Sequence, residues 1–210
     1  ILQAVSVNIE SLITAAPWLL HNADTVEWDD AHGTLKALRR SQIGQLTVSV
    51  RPLAKPSETE LHQAMLNGIR DKGLQVLNWT PAAEQMRLRL HCAAQWLPEY
   101  AWPAVDDASL LATLELWLLP DMQGVHSLRA LKALDLIHAL NHLLPWPLRQ
   151  RLDSALPGHY TVPTGSQIAI RYHAENPPVL AVRMQEMFGE AATPVIAEGR
   201  MPLVLELLSP

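Results

Sequence analysis

Apolar residues recur with two different periods along this chain of 210 residues. Up to about Leu53 they alternate with polar ones, as in Thr34-Leu35-Lys36-Ala37-Leu38 and Gln45-Leu46-Thr47-Val48-Ser49-Val50. A period of two marks strands with one covered face. Asp30-Ala31-His32-Gly33 and Ile43-Gly44 supply turns, so a small antiparallel meander is expected, preceded by a short helix near Ile9 to Ala15. From Pro56 the period becomes helical. Ser57 and Glu60 have capping-box spacing, Leu61, Met65 and Ile69 form one stripe, and Gly73 is placed to close the helix. Thr80-Pro81 opens a second helix with a capping side chain and a proline at its first position. A third is expected over 107–119, a fourth from Ser127 to just before Pro145, and a fifth from Pro147, closed by Pro157-Gly158.

From His159 the strand pattern returns, over 160–162, 167–172, 179–184 and 203–208, with Pro163-Thr164-Gly165-Ser166 as a turn. The expected fold class is therefore α+β. A β region covers 1–53, a central helical bundle 54–157 and a C-terminal β-rich region 158–210.

Composition narrows the function. Charged residues make up 18% and hydrophobic ones 49%, a globular balance. One cysteine, Cys92, excludes an internal disulfide and any CxxC metal or redox site. Glu115 interrupts the most apolar run, 110–119, so no membrane span is expected and a cytoplasmic location is. Seven tryptophans against one phenylalanine point to a bulky core, or to sites where an indole N–H meets a polar partner. Net charge is −5, yet Lys36, Arg39, Arg40, Arg51 and Lys55 fall in a stretch (31–57) without an acid. That stretch carries +5 and the remainder −10, the main hint of an anionic partner.

Catalytic signatures are weak. A phosphate-binding Walker loop needs Lys and Ser/Thr after its second glycine; Gly68 and Gly73 have the spacing, but Leu74-Gln75 follow. A glycine-capped helix end fits better. Asp29-Asp30-Ala31-His32 imitates a DEAH box, but the 28 residues before it cannot hold the upstream part of a RecA-type core. It reads as a turn. His138 and His142 stand four apart with Asp135 one turn earlier, a spacing that can hold zinc; Ala139 follows His138, so the H-E-x-x-H pattern is missing, and no metal site is assigned. Ser166 sits in a turn and not in a nucleophile elbow, and no catalytic residue is assigned. Cys92 reads as a small core residue. Met184, Met187 and Phe188 read as core packing beneath the terminal strands, or as a contact with another domain.

The run from Pro178 to Glu190 resembles the C-terminal region of the HrpB family, bacterial ATP-dependent helicases of the DEAH type. Further strings similar to that family occur in the family's order. They are Trp28-Asp29-Asp30, Ala37-Leu38-Arg39-Arg40 with Ile43-Gly44-Gln45-Leu46-Thr47, Gly68-Ile69-Arg70 with Leu77-Asn78-Trp79, Trp117-Leu118, and Gly124-Val125 with Ser127-Leu128. The first twenty residues are similar to the last strand and following helix of the OB-like domain of DEAH helicases. The resemblance implies a fragment lacking the motor. It begins inside an OB-like fold and stops before a further strand and a basic tail. ATP and Mg²⁺ would belong to the parent's motor domains, and this chain would hold no cofactor of its own. Two functions are then open. The chain supplies weak, sequence-blind contacts to single-stranded nucleic acid through Lys36, Arg39, Arg40, Arg51, Lys55 and a stacking Trp28, together with docking to the motor domains. Alternatively it is a purely structural or protein-interaction module, its acidic helical face (Glu99, Asp106, Asp107, Glu115, Asp121) meeting a partner.

Overall fold

Local signals place the first elements of the computed structural model, which describes residues 6–53 and 55–209. The Asn8 side chain accepts the Glu10 amide at 2.8 Å and opens α1 (Ile9–Ala15). Strands β1 (Leu20–Asp29), β2 (Thr34–Ile43) and β3 (Leu46–Pro52) follow, then α2 (Glu58–Lys72) and α3 (Pro81–Trp96). After them come α4 (Asp107–Ala112), α5 (Leu114–Trp117), α6 (Leu128–Lys132), α7 (Leu136–Asn141) and α8 (Trp146–Ala155). The chain ends in β4 (His159–Thr161), β5 (Gln167–Arg171), β6 (Val179–Arg183), β7 (Val195–Ile196), β8 (Met201–Pro202) and β9 (Val204–Leu208). The α+β class is as expected. The final OB-type strand expected near the start falls largely on residues 1–5, outside the described residues.

The chain packs as two units, one of residues 1–72 with 124–132, the other of 73–123 with 133–210. In the first, β1, β2 and β3 form an antiparallel meander in which Leu20 pairs with Ile43 and Asp29 with Thr34. The capping box of α2 forms as its spacing required. Ser57 N–H donates to Glu60 Oε2 at 2.7 Å, and Glu60 N–H donates back to Ser57 Oγ at 3.2 Å. The short α6 joins this unit through the Leu128 amide, which donates to the Gly33 carbonyl at 2.7 Å, and through a bridge between Thr34 and Ser127.

The second unit holds a helical core around Leu90, Leu110, Leu114 and Trp117, all fully buried. Three of the seven tryptophans have satisfied indoles, while Trp18 and Trp146 are exposed. Trp117 donates to the Leu110 carbonyl at 2.9 Å, and Trp79 and Trp102 to Leu74 and Leu97 at 3.0 Å each. Two expected helices are broken. The one over 107–119 stops at Thr113, whose hydroxyl donates to the Ser109 carbonyl at 2.8 Å and competes with the helical ladder. The one from Ser127 stops after Lys132 because Asp135 caps a new helix, accepting the Ile137 amide at 2.9 Å. The C-terminal sheet runs β4-β5-β6-β9 with β6 and β9 parallel, and β7-β8 is a separate ribbon absent from the sequence expectation.

Met184 and Phe188 do not pack beneath this sheet; they are 53% and 67% exposed. Strand β6 ends at Arg183, and a single 3₁₀ turn (Met184–Met187) carries the run away from the sheet. Val204, Leu207 and Leu208 on β9 are also exposed.

Candidate functional site

Strand alternation distributes the basic stretch over two faces of the meander. Arg39 lies on the same face as Trp28, with Asp24 and Arg51 as its cross-strand neighbours. Lys36 and Arg40 lie on the other, with Glu27 opposite Lys36. The acids of β1 therefore meet the cations of β2. Arg39 makes a bidentate pair with Asp24, two bonds of 2.7 Å. Arg40 reaches Glu27 at 2.7 Å and Lys36 reaches Asp29 at 2.6 Å. Asp29 also takes the His32 ring at 2.7 Å. The Lys36 ammonium foremost, then His32, hold the Asp29 carboxyl down to about 2 against the opposing effect of its burial. Arg51 and Lys55 carry no ion pair among the described residues, and both are exposed.

Trp28 is half-buried against α2. A Cβ at Gly68 would stand 2.8 Å from its Cε3, and Lys72 Nζ lies 5.8 Å from the ring centre, itself paired with Asp30. That side of the ring is taken up by the helix. Gly68 is thus a packing glycine and Gly73, with φ +85°, ends the helix, which accounts for the Walker-like spacing. The Asp29–His32 segment is the β1–β2 turn.

Two basic residues escaped the sequence reading. Arg129 and Lys132 on α6 line a groove with His32, Gly33, Thr34 and Ser127, beside the hairpin tip. Both are exposed and without an ion pair among the described residues. They lie some ninety positions from the hairpin in sequence, and the Gly33–Leu128 hydrogen bond and the Thr34–Ser127 bridge bring them to it.

Two histidine clusters emerge. In the first unit Glu58 faces His62 at 3.1 Å and His126 at 2.9 Å, and also accepts the Gly124 amide at 3.1 Å. In the second unit Asp121 receives both expected histidines, His138 Nδ1 and His142 Nε2, each at 2.9 Å. The acid expected beside them, Asp135, is instead occupied as the cap of α7. Burial opposes ionisation of Asp121, but hydrogen bonds from His138 and His142 outweigh it and hold the carboxyl below its ordinary value; the same contact raises His138. Cys92 is fully buried, and burial pushes its thiol up to about 11, the setting of an inert core residue. The acidic face is tied up internally. Glu99 pairs with Arg200 and Asp107 with Arg87, both at 2.5 Å, and Asp106 caps α4.

Comparison with known proteins bears on the whole chain. Residues 117–210 match the family described as the ATP-dependent helicase C-terminal region, and 19–53 match the connector region of ATP-dependent RNA helicase HrpB. The chain is 74% identical over its full length to the ATP-dependent RNA helicase HrpB of Escherichia coli. This chain resembles HrpB helicases from end to end. It spans about a quarter (26%) of that relative's length. A crystal structure of the E. coli DExH-box NTPase HrpB matches 98% of the chain with a TM-score of 0.77 at 74% identity. A second, of the E. coli DEAH/RHA helicase HrpB, matches 90% with the same TM-score at 77% identity. The hairpin of β1 and β2 thus lies in the stretch that matches the HrpB connector, and β4 to β9 in the stretch that matches the C-terminal family. No helix among the described residues is long and apolar enough to cross a membrane.

Proposed function

We propose that this chain is an accessory C-terminal region of a cytoplasmic ATP-dependent RNA helicase of the HrpB type, docking against motor domains that carry ATP and Mg²⁺ and flanking their nucleic-acid path. The 74% identity over the full 210 residues carries this reading. Docking is supported by the exposed apolar run of Met184 and Phe188 with Leu207 and Leu208. Exposed apolar side chains serve contact with another protein surface better than contact with phosphate.

Nucleic-acid contact is the second function of the same region, and the geometry favours only two of the residues the sequence indicated, Arg51 and Lys55, together with Arg129 and Lys132. A phosphate approaching Arg39, Arg40 or Lys36 competes with Asp24, Glu27 and Asp29. Arg51, Lys55, Arg129 and Lys132 face no such competitor among the described residues. They would make sequence-blind contacts that weaken steeply with salt.

The salt dependence separates the two roles. The chain is mixed with a labelled single-stranded oligonucleotide, and separately with the motor portion of its parent, at 0.05 and about 0.5 M salt, a range over which phosphate contacts lose orders of magnitude in affinity. Oligonucleotide binding should vanish at high salt and in R129E/K132E, while the motor complex persists and is lost in F188D/L207D. A motor complex indifferent to F188D/L207D overturns the docking surface. Oligonucleotide binding unchanged in R129E/K132E and abolished in R39E/R40E returns the contact to the face of the meander.

A further inference from the structure

We propose that Asp121, His138 and His142 form a binding site for a divalent transition-metal ion of the zinc class. The three ligating atoms lie within 4.8 Å of one another. His138 and His142 stand four apart at the end of α7, so both rings project from one face, with centres 5.0 Å apart and planes at 89°. They offer opposite nitrogens, Nδ1 and Nε2, to the two oxygens of one carboxylate, each at 2.9 Å. Neutral imidazole nitrogens and a carboxylate oxygen are the donors zinc takes, at about 2.0–2.2 Å. Donors around a tetrahedral ion at that range stand roughly 3.3–3.5 Å apart, so an ion draws together ligating atoms that already lie within 4.8 Å of one another.

The carboxylate is held in place before any ion arrives. Asp121 ends a 3₁₀ turn (Leu119–Asp121) flanked by the fully buried Leu118 and Met122, and its side chain is 18% exposed. His138, 65% exposed, leaves the outer side of the cluster to solvent, where a fourth ligand can be water. Sequence spacing alone had offered Asp135 as the third donor; Asp121, from a different turn, supplies the donor that spacing could not identify. The Glu58 cluster is the weaker candidate, because its carboxylate already accepts the Gly124 amide and is 48% exposed. There one carboxylate oxygen, Oε1, is already engaged by a backbone amide. It serves as an internal control.

Calorimetric titration of the metal-free 210-residue chain with Zn²⁺, repeated with Co²⁺ to read the visible absorption of a low-symmetry nitrogen–oxygen site, tests the assignment. One equivalent should bind, be lost in H138N/H142N and persist in H62N/H126N. H138N alone, a change at an exposed ring that leaves thermal unfolding intact, should weaken binding at least ~10-fold. Zinc binding of unchanged stoichiometry and affinity in H138N/H142N overturns the assignment, as does its loss in H62N/H126N alone. A parent chain that shows no Zn²⁺ uptake or Co²⁺ spectrum at tens of micromolar also overturns it, leaving the trio a hydrogen-bond network only.

Discussion

Gly68→Ala tests the packing of α2 on the meander by the sign of its effect. In an exposed helix interior, alanine is favoured over glycine by about 1 kcal/mol. Gly68 is buried, and its added Cβ would lie 2.8 Å from Trp28 Cε3, 3.4 Å from Cδ2 and 3.5 Å from Cζ3. Carbon atoms pack best at about 3.5–4.0 Å, so the ring must withdraw by most of an ångström. It has little freedom to do so. Trp28 sits on β1 paired to Leu35, with Lys72 Nζ 5.8 Å from its centre and that lysine tied to Asp30. Overpacking a site of this kind costs about 1–3 kcal/mol, which outweighs the helical gain and leaves a net loss of about 1 kcal/mol. For a chain of this size that is a fall of about 2–4 °C in the unfolding midpoint. Thermal and urea unfolding of G68A, W28L and the double variant measure it. Shortening the indole removes the clash, so in the W28L background alanine should stabilise. A rise in midpoint for G68A with Trp28 intact would refute the packing and free the indole as a stacking platform.

Two smaller effects can be measured alongside. Ser57→Ala removes the hydroxyl that accepts the Glu60 amide and should cost about 1 kcal/mol of stability in urea unfolding, with no change if α2 is held by packing alone. Asp29, held at about 2 chiefly by Lys36, should show a carboxyl NMR titration midpoint near that value. Because the folded value lies below the unfolded one, about 4, its stabilising contribution is present above pH about 4 and lost as pH falls toward 2. Lys36→Met should raise the midpoint, and an unmoved midpoint would remove Lys36 as the cause.

Local signals were legible in the sequence and tertiary ones were not. The capping box at Ser57, the Thr80-Pro81 start of α3 and the turn at Gly165 each involve partners within a few positions, and each formed. Thr113 and Asp135 broke the expected helices by hydrogen bonds equally local, readable only by asking whether a side chain competes with the helix or caps a new one. The apolar spacing of Met184, Met187 and Phe188 cannot distinguish a strand buried on a sheet from a turn that leaves it. Arg129 and Asp121 act through contacts with residues distant in the chain, which no period or motif records.

The basic stretch shows why charge counted along a chain differs from charge presented to a ligand. Five cations without an intervening acid predict a positive patch only if they share a face and no other strand intrudes. An antiparallel meander violates both conditions. Period two sends Arg39 to one face and Arg40 to the other, and the ten-residue register of β1 on β2 brings Asp24, Glu27 and Asp29 within 2.7 Å of three of the five. The Arg39 and Arg40 pairs are largely exposed and contribute little to stability, while Asp29 is largely covered, but each pair puts a carboxylate where a phosphate would have to sit. The cations left for an anionic partner are those no β1 acid reaches, Arg51 on β3 with Lys55 just after it, and Arg129 and Lys132 beside the hairpin tip. An anionic partner of the meander is therefore to be sought along β3 and beside the hairpin tip, and not at the paired cations of β2.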